Sequence, residues 1–256
     1  AGNVIKTHAG GTEQFSKTSY DGLGRTTAQY VGFDTDESTY GEADDVDGDT
    51  IFTQTEFDYN DAGQTIFVTS RQRLNDATGT GELNGPSGSQ PKSRDSYTAS
   101  WYDEVGRQTE TATYGTNGGT AMDVDDRPDS PPSRSDTILV TSTEYDSAGR
   151  AYKTTDPAGT ENRTTYDDRG RVTKTIENYT DGDPETGDDD EDVTVETTYT
   201  ADGQVSTYTA KNGDTGDQVT TYVYGSSVGG ITPEIYRADL LRAVIYPDSD
   251  DTTSLG

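Results

Sequence analysis

One six-residue pattern constrains this chain more than any other feature. Tyr-Asp-x-x-Gly-Arg occurs in full as Tyr20-Asp21-Gly22-Leu23-Gly24-Arg25 and Tyr102-Asp103-Glu104-Val105-Gly106-Arg107. It returns as Tyr145-Asp146-Ser147-Ala148-Gly149-Arg150 and Tyr166-Asp167-Asp168-Arg169-Gly170-Arg171. Two degenerate copies keep the Tyr and the Gly: Tyr59-Asn60-Asp61-Ala62-Gly63-Gln64 and Tyr199-Thr200-Ala201-Asp202-Gly203-Gln204. Successive tyrosines lie 39, 43, 43, 21 and 33 residues apart. The shortest spacing reads as the bare unit, and the others as that unit with loops inserted. Strand-forming residues flank the pattern, such as Thr141-Ser142-Thr143-Glu144 before Tyr145 and Val172-Thr173-Lys174-Thr175-Ile176 after Arg171. Between them sits a turn, in which Asp accepts backbone N–H bonds and Gly supplies positive φ. Tyr ends the incoming strand and Arg starts the outgoing one. Across a hairpin, Arg can pair with an acid or lie against a Tyr ring. The unit is a β-hairpin stacked on its neighbours.

That reading runs against the bulk composition. Leu, Ile, Val and Phe supply only 35 of 256 residues, and Lys+Arg 19 against Asp+Glu 48 leave a net charge of -29. Such a chain normally reads as disordered. Here 17 Tyr and 44 Thr suit half-buried strands, and 29 Gly suit turns. Tyrosine buries a large ring and keeps its hydroxyl wet, so it can replace an aliphatic core. Asp (34) far exceeds Glu (14), which favours turns over helices. Much of the acid sits in insertions such as 34–49 and 181–192, outside the strands.

The pattern and its spacing resemble the YD repeats of the Rhs family, over roughly residues 15–210. The tail Leu240-Leu241-Arg242-Ala243-Val244-Ile245-Tyr246-Pro247-Asp248 also resembles a segment of very large bacterial YD-repeat proteins. The resemblance implies a long antiparallel sheet that winds in a spiral. In relatives it closes into a shell around a toxic C-terminal domain, or forms an extracellular barrel used in adhesion.

Strands are expected near 14–20, 25–33, 51–59, 64–70, 96–102, 107–114, 137–145 and 150–155. Further strands are expected near 160–166, 171–178, 193–199, 204–210, 218–224 and 241–246. Long loops fill 34–50, 71–95, 115–136, 180–192 and 225–240. Asp156-Pro157-Ala158-Gly159 and Asn212-Gly213 are expected at hairpin tips on the opposite edge. No linker divides the chain, so residues 1–256 are expected to form a single repeat module. The chain opens on Ala1 rather than Met, as expected where a preceding segment was removed or where the chain is an excerpt from a longer one.

Several functions are disfavoured at once. Zero cysteine removes disulfides and thiolate chemistry, and the single His8 disfavours Ser-His-Asp and multi-His metal sites. No basic patch exists to neutralise phosphates, and no apolar run approaches the ~18 residues of a membrane span. Acids are so frequent that no carboxylate pair is informative, and little apolar material exists to raise a pKa.

Acidic loops are the candidate ion sites. The metal candidates are Asp45, Asp47 and Asp49 in the first and Asp188, Asp190 and Asp192 in the second, with Ca²⁺ the possible cofactor. The first loop fails the EF-hand test, since Ala43 and Gln54 stand at the first and twelfth positions. Solvated acidic loops are the bland alternative. Asp156-Pro157-Ala158-Gly159 resembles the Asp-Pro-x-Gly signature at which Rhs shells cut themselves. Ala151 stands where the upstream proline belongs and Thr160 where an apolar residue belongs, so a plain hairpin turn is expected. Asn162-Arg163-Thr164 and Asn178-Tyr179-Thr180 match glycosylation sequons, a chance product of a Thr-rich chain. Trp101 is expected in the core. The apolar stretch Ile231 to Ile245 is expected to cap the core or meet another repeat.

The reading is an all-β fold of stacked antiparallel hairpins forming a spiralling sheet, shell or fibre-like body. Its expected role is that of a non-enzymatic structural protein, secreted or at the cell surface. It would build a shell, tube or filament through self-association or neighbouring repeats, with divalent cations as partners. Two alternatives stay open: a shell segment around a C-terminal toxin, and an adhesion or glycan-binding module.

Overall fold

Short Thr-, Tyr- and Val-rich strands punctuated by glycine turns form the framework of the structure. It is a computed structural model describing residues 6–8, 13–34, 39–186, 188, 190–213, 215–225, 237 and 239–247. The strands are β1 (Lys6–His8), β2 (Gln14–Tyr20), β3 (Thr26–Phe33), β4 (Thr50–Tyr59) and β5 (Thr65–Arg73). They continue as β6 (Ser93–Tyr102), β7 (Gln108–Gly115), β8 (Leu139–Tyr145), β9 (Ala151–Thr155) and β10 (Glu161–Tyr166). The last are β11 (Val172–Glu177), β12 (Val193–Tyr199), β13 (Val205–Ala210), β14 (Gln218–Tyr224) and β15 (Leu241–Ile245). Each expected strand is present, with ends within three residues of expectation, and β1 was not foreseen. Helix is confined to α1 (Tyr40–Ala43) and two single 3₁₀ turns among the described residues. The all-β class of antiparallel hairpins is thus observed. The chain divides into two compact units, residues 1–142 and 143–256.

In the first unit the strands follow one another in chain order, each pairing antiparallel with the next. Side-chain alternation along β6 sends Ser93, Asp95, Tyr97, Ala99 and Trp101 to a covered face. Register then builds the core: Phe67 pairs with Ala99, Ala99 with Ala112, and Ala112 with Val140. With Tyr97, Trp101 and Tyr114 they form one buried cluster, against which Met122, Val124 and Ile138 pack from the 115–138 insertion. A second cluster joins Phe15, Ala28, Tyr30 and Ile51 to Val46 and Leu83, which come from the insertions 34–49 and 74–92. The insertions are the second layer of the core. They resolve the compositional paradox, because a thin sheet covered on one face needs few aliphatic residues. Gly32 shows how tightly the layers meet: a Cβ there would stand 2.8 Å from the Phe15 ring and 2.9 Å from the Thr50 carbonyl.

The second unit is thinner. It too runs in chain order, with β9 to β15 pairing antiparallel. Its buried residues are Thr155, Ile176, Asp192 and Thr194 among those described. Threonine pairs cross the ladder, as Thr164 with Thr175 and Thr207 with Thr221. The hydroxyls of Thr198 and Thr207 lie 2.6 Å apart.

Candidate functional site: the turn ladder

The turns answer to their sequence atom by atom. In the copy at 145–150, the Asp146 N–H donates to the Arg150 carbonyl at 2.9 Å and the Gly149 N–H to the Asp146 carbonyl at 2.9 Å. Oδ1 of Asp146 accepts from the N–H groups of Ala148 and Arg150, both at 2.9 Å. Its Oδ2 accepts from Arg150 Nε at 2.7 Å and lies 2.6 Å from a second guanidinium nitrogen. One carboxylate therefore serves two backbone donors and a guanidinium edge, which a fork such as Arg can present and Lys cannot. Gly149 holds φ at 84°, where a Cβ is strained. The turns of Asp21, Asp103 and Asp167 repeat this network. Backbone and guanidinium donation from its own Arg holds each of these four carboxyls below the usual range.

The degenerate copies keep the same turn with neutral groups. Asn60 Oδ1 accepts from the Gln64 N–H at 2.9 Å, and its Nδ2 donates to Gln64 Oε1 at 2.7 Å. Thr200 Oγ1 accepts from the Gln204 N–H at 3.2 Å. Gly63 and Gly203 keep positive φ, at 82° and 94°. The Asp156 turn also follows the scheme. Its Oδ1 accepts from the Thr160 N–H at 2.8 Å, so a hairpin tip is what stands there.

Successive turns are tied to one another within each unit. Arg25 lies over the Tyr59 ring at 4.6 Å, Arg150 over Tyr166 at 4.6 Å and Arg171 over Tyr199 at 4.1 Å. Each tyrosine hydroxyl then donates to the carbonyl one residue past the preceding turn. Tyr59 reaches Thr26 at 2.7 Å, Tyr102 Thr65 at 2.8 Å, Tyr166 Ala151 at 2.7 Å and Tyr199 Val172 at 2.7 Å. Sequence reasoning left Arg between an acid and a ring. The guanidinium engages both, the acid of its own turn and the ring of the next.

A seventh tyrosine escaped the sequence reading. Each of Tyr20, Tyr59, Tyr102, Tyr166 and Tyr199 sits at a register shift in its hairpin, and so does Tyr224, which pairs with Leu241. The Gly225 N–H donates to the Leu240 carbonyl at 3.0 Å, the bond Asp and Arg make elsewhere. Here a long insertion replaces the tight turn. The only signal in the sequence was a strand ending in Tyr.

The acidic loops are organised from within. Asp49 is buried and meets Lys17 Nζ at 2.6 Å. The same ammonium donates to the carbonyls of Asp45 at 2.6 Å and Glu42 at 3.1 Å. Burial pushes the Asp49 carboxyl up, and Lys17 opposes that. Asp192 is fully buried and accepts from the N–H groups of Thr180 and Gly182 at 3.0 Å and of Asp181 at 3.1 Å. Burial pushes this carboxyl up, but those donors and the Thr180 hydroxyl outweigh it and bring it to about 2. Asp45, Asp47, Asp188 and Asp190 are exposed. Among the described residues, no group of three or more His, Asp or Glu side chains is gathered to hold a metal ion.

The remaining candidates fall as follows. Trp101 is in the core, with Arg127 over its ring at 4.6 Å. Asn162 accepts from the Asn178 N–H at 3.1 Å, and Asn178 donates to the Asp190 carbonyl at 2.8 Å, so both sequon asparagines brace the 178–192 loop. In the apolar stretch, residues 231–236 lie outside the described residues, while Leu240 and Leu241 are exposed. No helix among the described residues is long and apolar enough to cross a membrane.

No family model matches the chain, and no curated protein does. Solved structures do. The chain is similar to the crystal structure of TcdB2-TccC3-TEV at 15% identity and a TM-score of 0.41, over 87% of this chain and 10% of that one. It is similar to that of TcdB2-TccC3-Cdc42 at 15% identity and a TM-score of 0.42, over 95% of this chain and 10% of that one. For a Photorhabdus luminescens Tc holotoxin pore with mutated TccC3, the values are 14% and 0.34, over 82% and 9%. The chain thus spans about a tenth of the length of the chains it matches.

Proposed function

We propose that this protein is a non-enzymatic extracellular scaffold whose hairpins build a shell, tube or filament. The turn ladder carries the reading. In each unit, most polar groups of the turn motif are engaged in holding one turn and binding the next, Arg171 Nη1 being buried without a hydrogen-bond partner. A catalytic constellation would instead leave a nucleophile or a base free toward a substrate. The turns repeat one ring and carbonyl, four of them with a guanidinium and two with a Gln in its place, so the arrangement extends by repetition. The resemblance of the motif to YD repeats supports the same role. Exposed acid suits a body that stays dispersed in saline surroundings.

Electron microscopy of the protein purified from the culture medium and the cell surface tests this. Closed or elongated particles of uniform wall are expected. Structureless monomers confined to the cytoplasm would overturn the proposal.

A further inference from the structure

The uncovered face of the first unit carries an array that the scaffold reading does not use. Register places Thr53 beside Gln72 and Gln72 beside Arg94 in one row across β4, β5 and β6. Thr55, Ser70 and Ser96 make the adjacent row. Neighbours within a row are about 4.8 Å apart, and the rows about 6.8 Å. These six side chains line one groove of about 590 Å³, walled by Gly115 and Thr116 where β7 ends. Thr53, Gln72 and Arg94 are exposed, and Thr55, Ser70 and Ser96 half-buried.

Arg94 is unlike the turn arginines and Arg71, and among the described residues only Arg134 and Arg242 share its lack of a side-chain partner. The turn arginines are neutralised by Asp21, Asp103, Asp146 and Asp167, and Arg71 by Glu56 and Asp95. Asp95 adjoins Arg94 in sequence, but its carboxylate serves Arg71 and Ser93 on the covered face. Among the described residues the Arg94 side chain has neither a hydrogen bond nor an ion pair. An unpaired guanidinium therefore sits among hydroxyls and an amide, in a groove whose other charged lining residues, Arg71 and Asp95, neutralise each other, on a chain of net charge -29.

We propose that this groove binds a singly charged acidic saccharide, a uronate-type sugar whose carboxylate meets Arg94. The planar fork of Arg94 matches a carboxylate. The Thr, Ser and Gln groups both donate and accept, as ring hydroxyls require. No aromatic side chain lines the groove, which leaves nucleobases without a stacking partner. The protein's own charge repels polyanions, so one anionic group in an otherwise neutral ligand fits best. This site is independent of the scaffold role.

The experiment titrates the intact protein with cellobiouronic acid, cellobiose and inorganic sulfate in physiological saline, followed by amide chemical shifts and calorimetry. Cellobiouronic acid is expected to bind at least about ten-fold more tightly than cellobiose or sulfate. Arg94→Gln should reduce it to the cellobiose level with an unchanged melting curve, because Arg94 holds nothing in place. Ser70→Ala with Thr53→Val should weaken both sugars. Equal affinity for the two sugars, sulfate binding as tightly as the uronate, or no shift at all would overturn the proposal.

Discussion

Tyr166 donates its hydroxyl to the carbonyl of Ala151 at 2.7 Å, and its ring carries the guanidinium of Arg150 at 4.6 Å. One side chain thereby locks both the backbone and the charged corner of the preceding turn. The same guanidinium donates to the Asp167 carbonyl at 3.0 Å, so Arg150 meets its own turn and two groups of the next.

Replacing Arg150 should separate its roles. Arg150→Ala is expected to cost about 1–2 kcal/mol in urea unfolding, a modest figure because the pair with Asp146 is partly exposed. Arg150→Lys should recover less than half of it, since an ammonium cannot grip the carboxylate edgewise while lying flat on Tyr166. Full recovery by Lys would mean that charge alone matters.

The neutral turn at 59–64 can be converted into the charged one. Gln64 Nε2 already donates to the Gly106 carbonyl at 2.9 Å, and Tyr102 already bonds to Thr65. Asn60→Asp with Gln64→Arg should add a guanidinium–carboxylate pair and a stacked Tyr102 ring, gaining about 1 kcal/mol. A melting temperature raised by roughly 2–4 °C would register it. A fall would show that this turn cannot seat the larger side chain.

Lys17 and Asp49 are both buried, at 3% and 1% exposure. Lys17→Met strands the carboxylate and should cost about 3–5 kcal/mol, as should Asp49→Leu by stranding the ammonium. The double variant should recover most of the loss, because the pair gains little over apolar packing once desolvation is counted. Additive losses in the double-mutant cycle would contradict this.

Acid should weaken the fold through Asp192 and the turn aspartates. Their folded pKa values lie below the unfolded ones, so their contribution is complete above about pH 4 and is lost as pH falls further, for Asp192 toward about 2. Asp49, raised by burial, has the opposite sign. Repulsion among the remaining acids also eases on acidification and is best removed with about 1 M NaCl, where screening acts within ~3 Å. In that salt the melting temperature should fall between pH 4 and 2. Asp192→Asn should flatten the decline; a wild-type curve that is flat or rising there would refute the assignment.

The turns were legible because their chemistry is local. Asp, Gly and Arg act on one another within six residues, so the motif alone specifies donor, acceptor and φ. The ladder was half legible, since the ring that Arg150 covers lies in the next turn and only register identifies it. The roles of Asp49 and Asp192 were not legible. Each looks like one acid in a run of acids, and what distinguishes it is a partner brought by folding, Lys17 for one and the 180–182 amides for the other. Tyr224 was hidden for a related reason, because its turn keeps the register shift but none of the motif's side chains.

The ladder has a sense of direction. Arg25 gives to Tyr59 and Arg150 to Tyr166, always from the earlier turn to the later one, while the hydroxyls answer in reverse. Such a contact joins two unlike surfaces, so made once between two bodies it is heterologous. Bodies joined through it would all point the same way, and such a series either closes into a ring or stays open with two different ends.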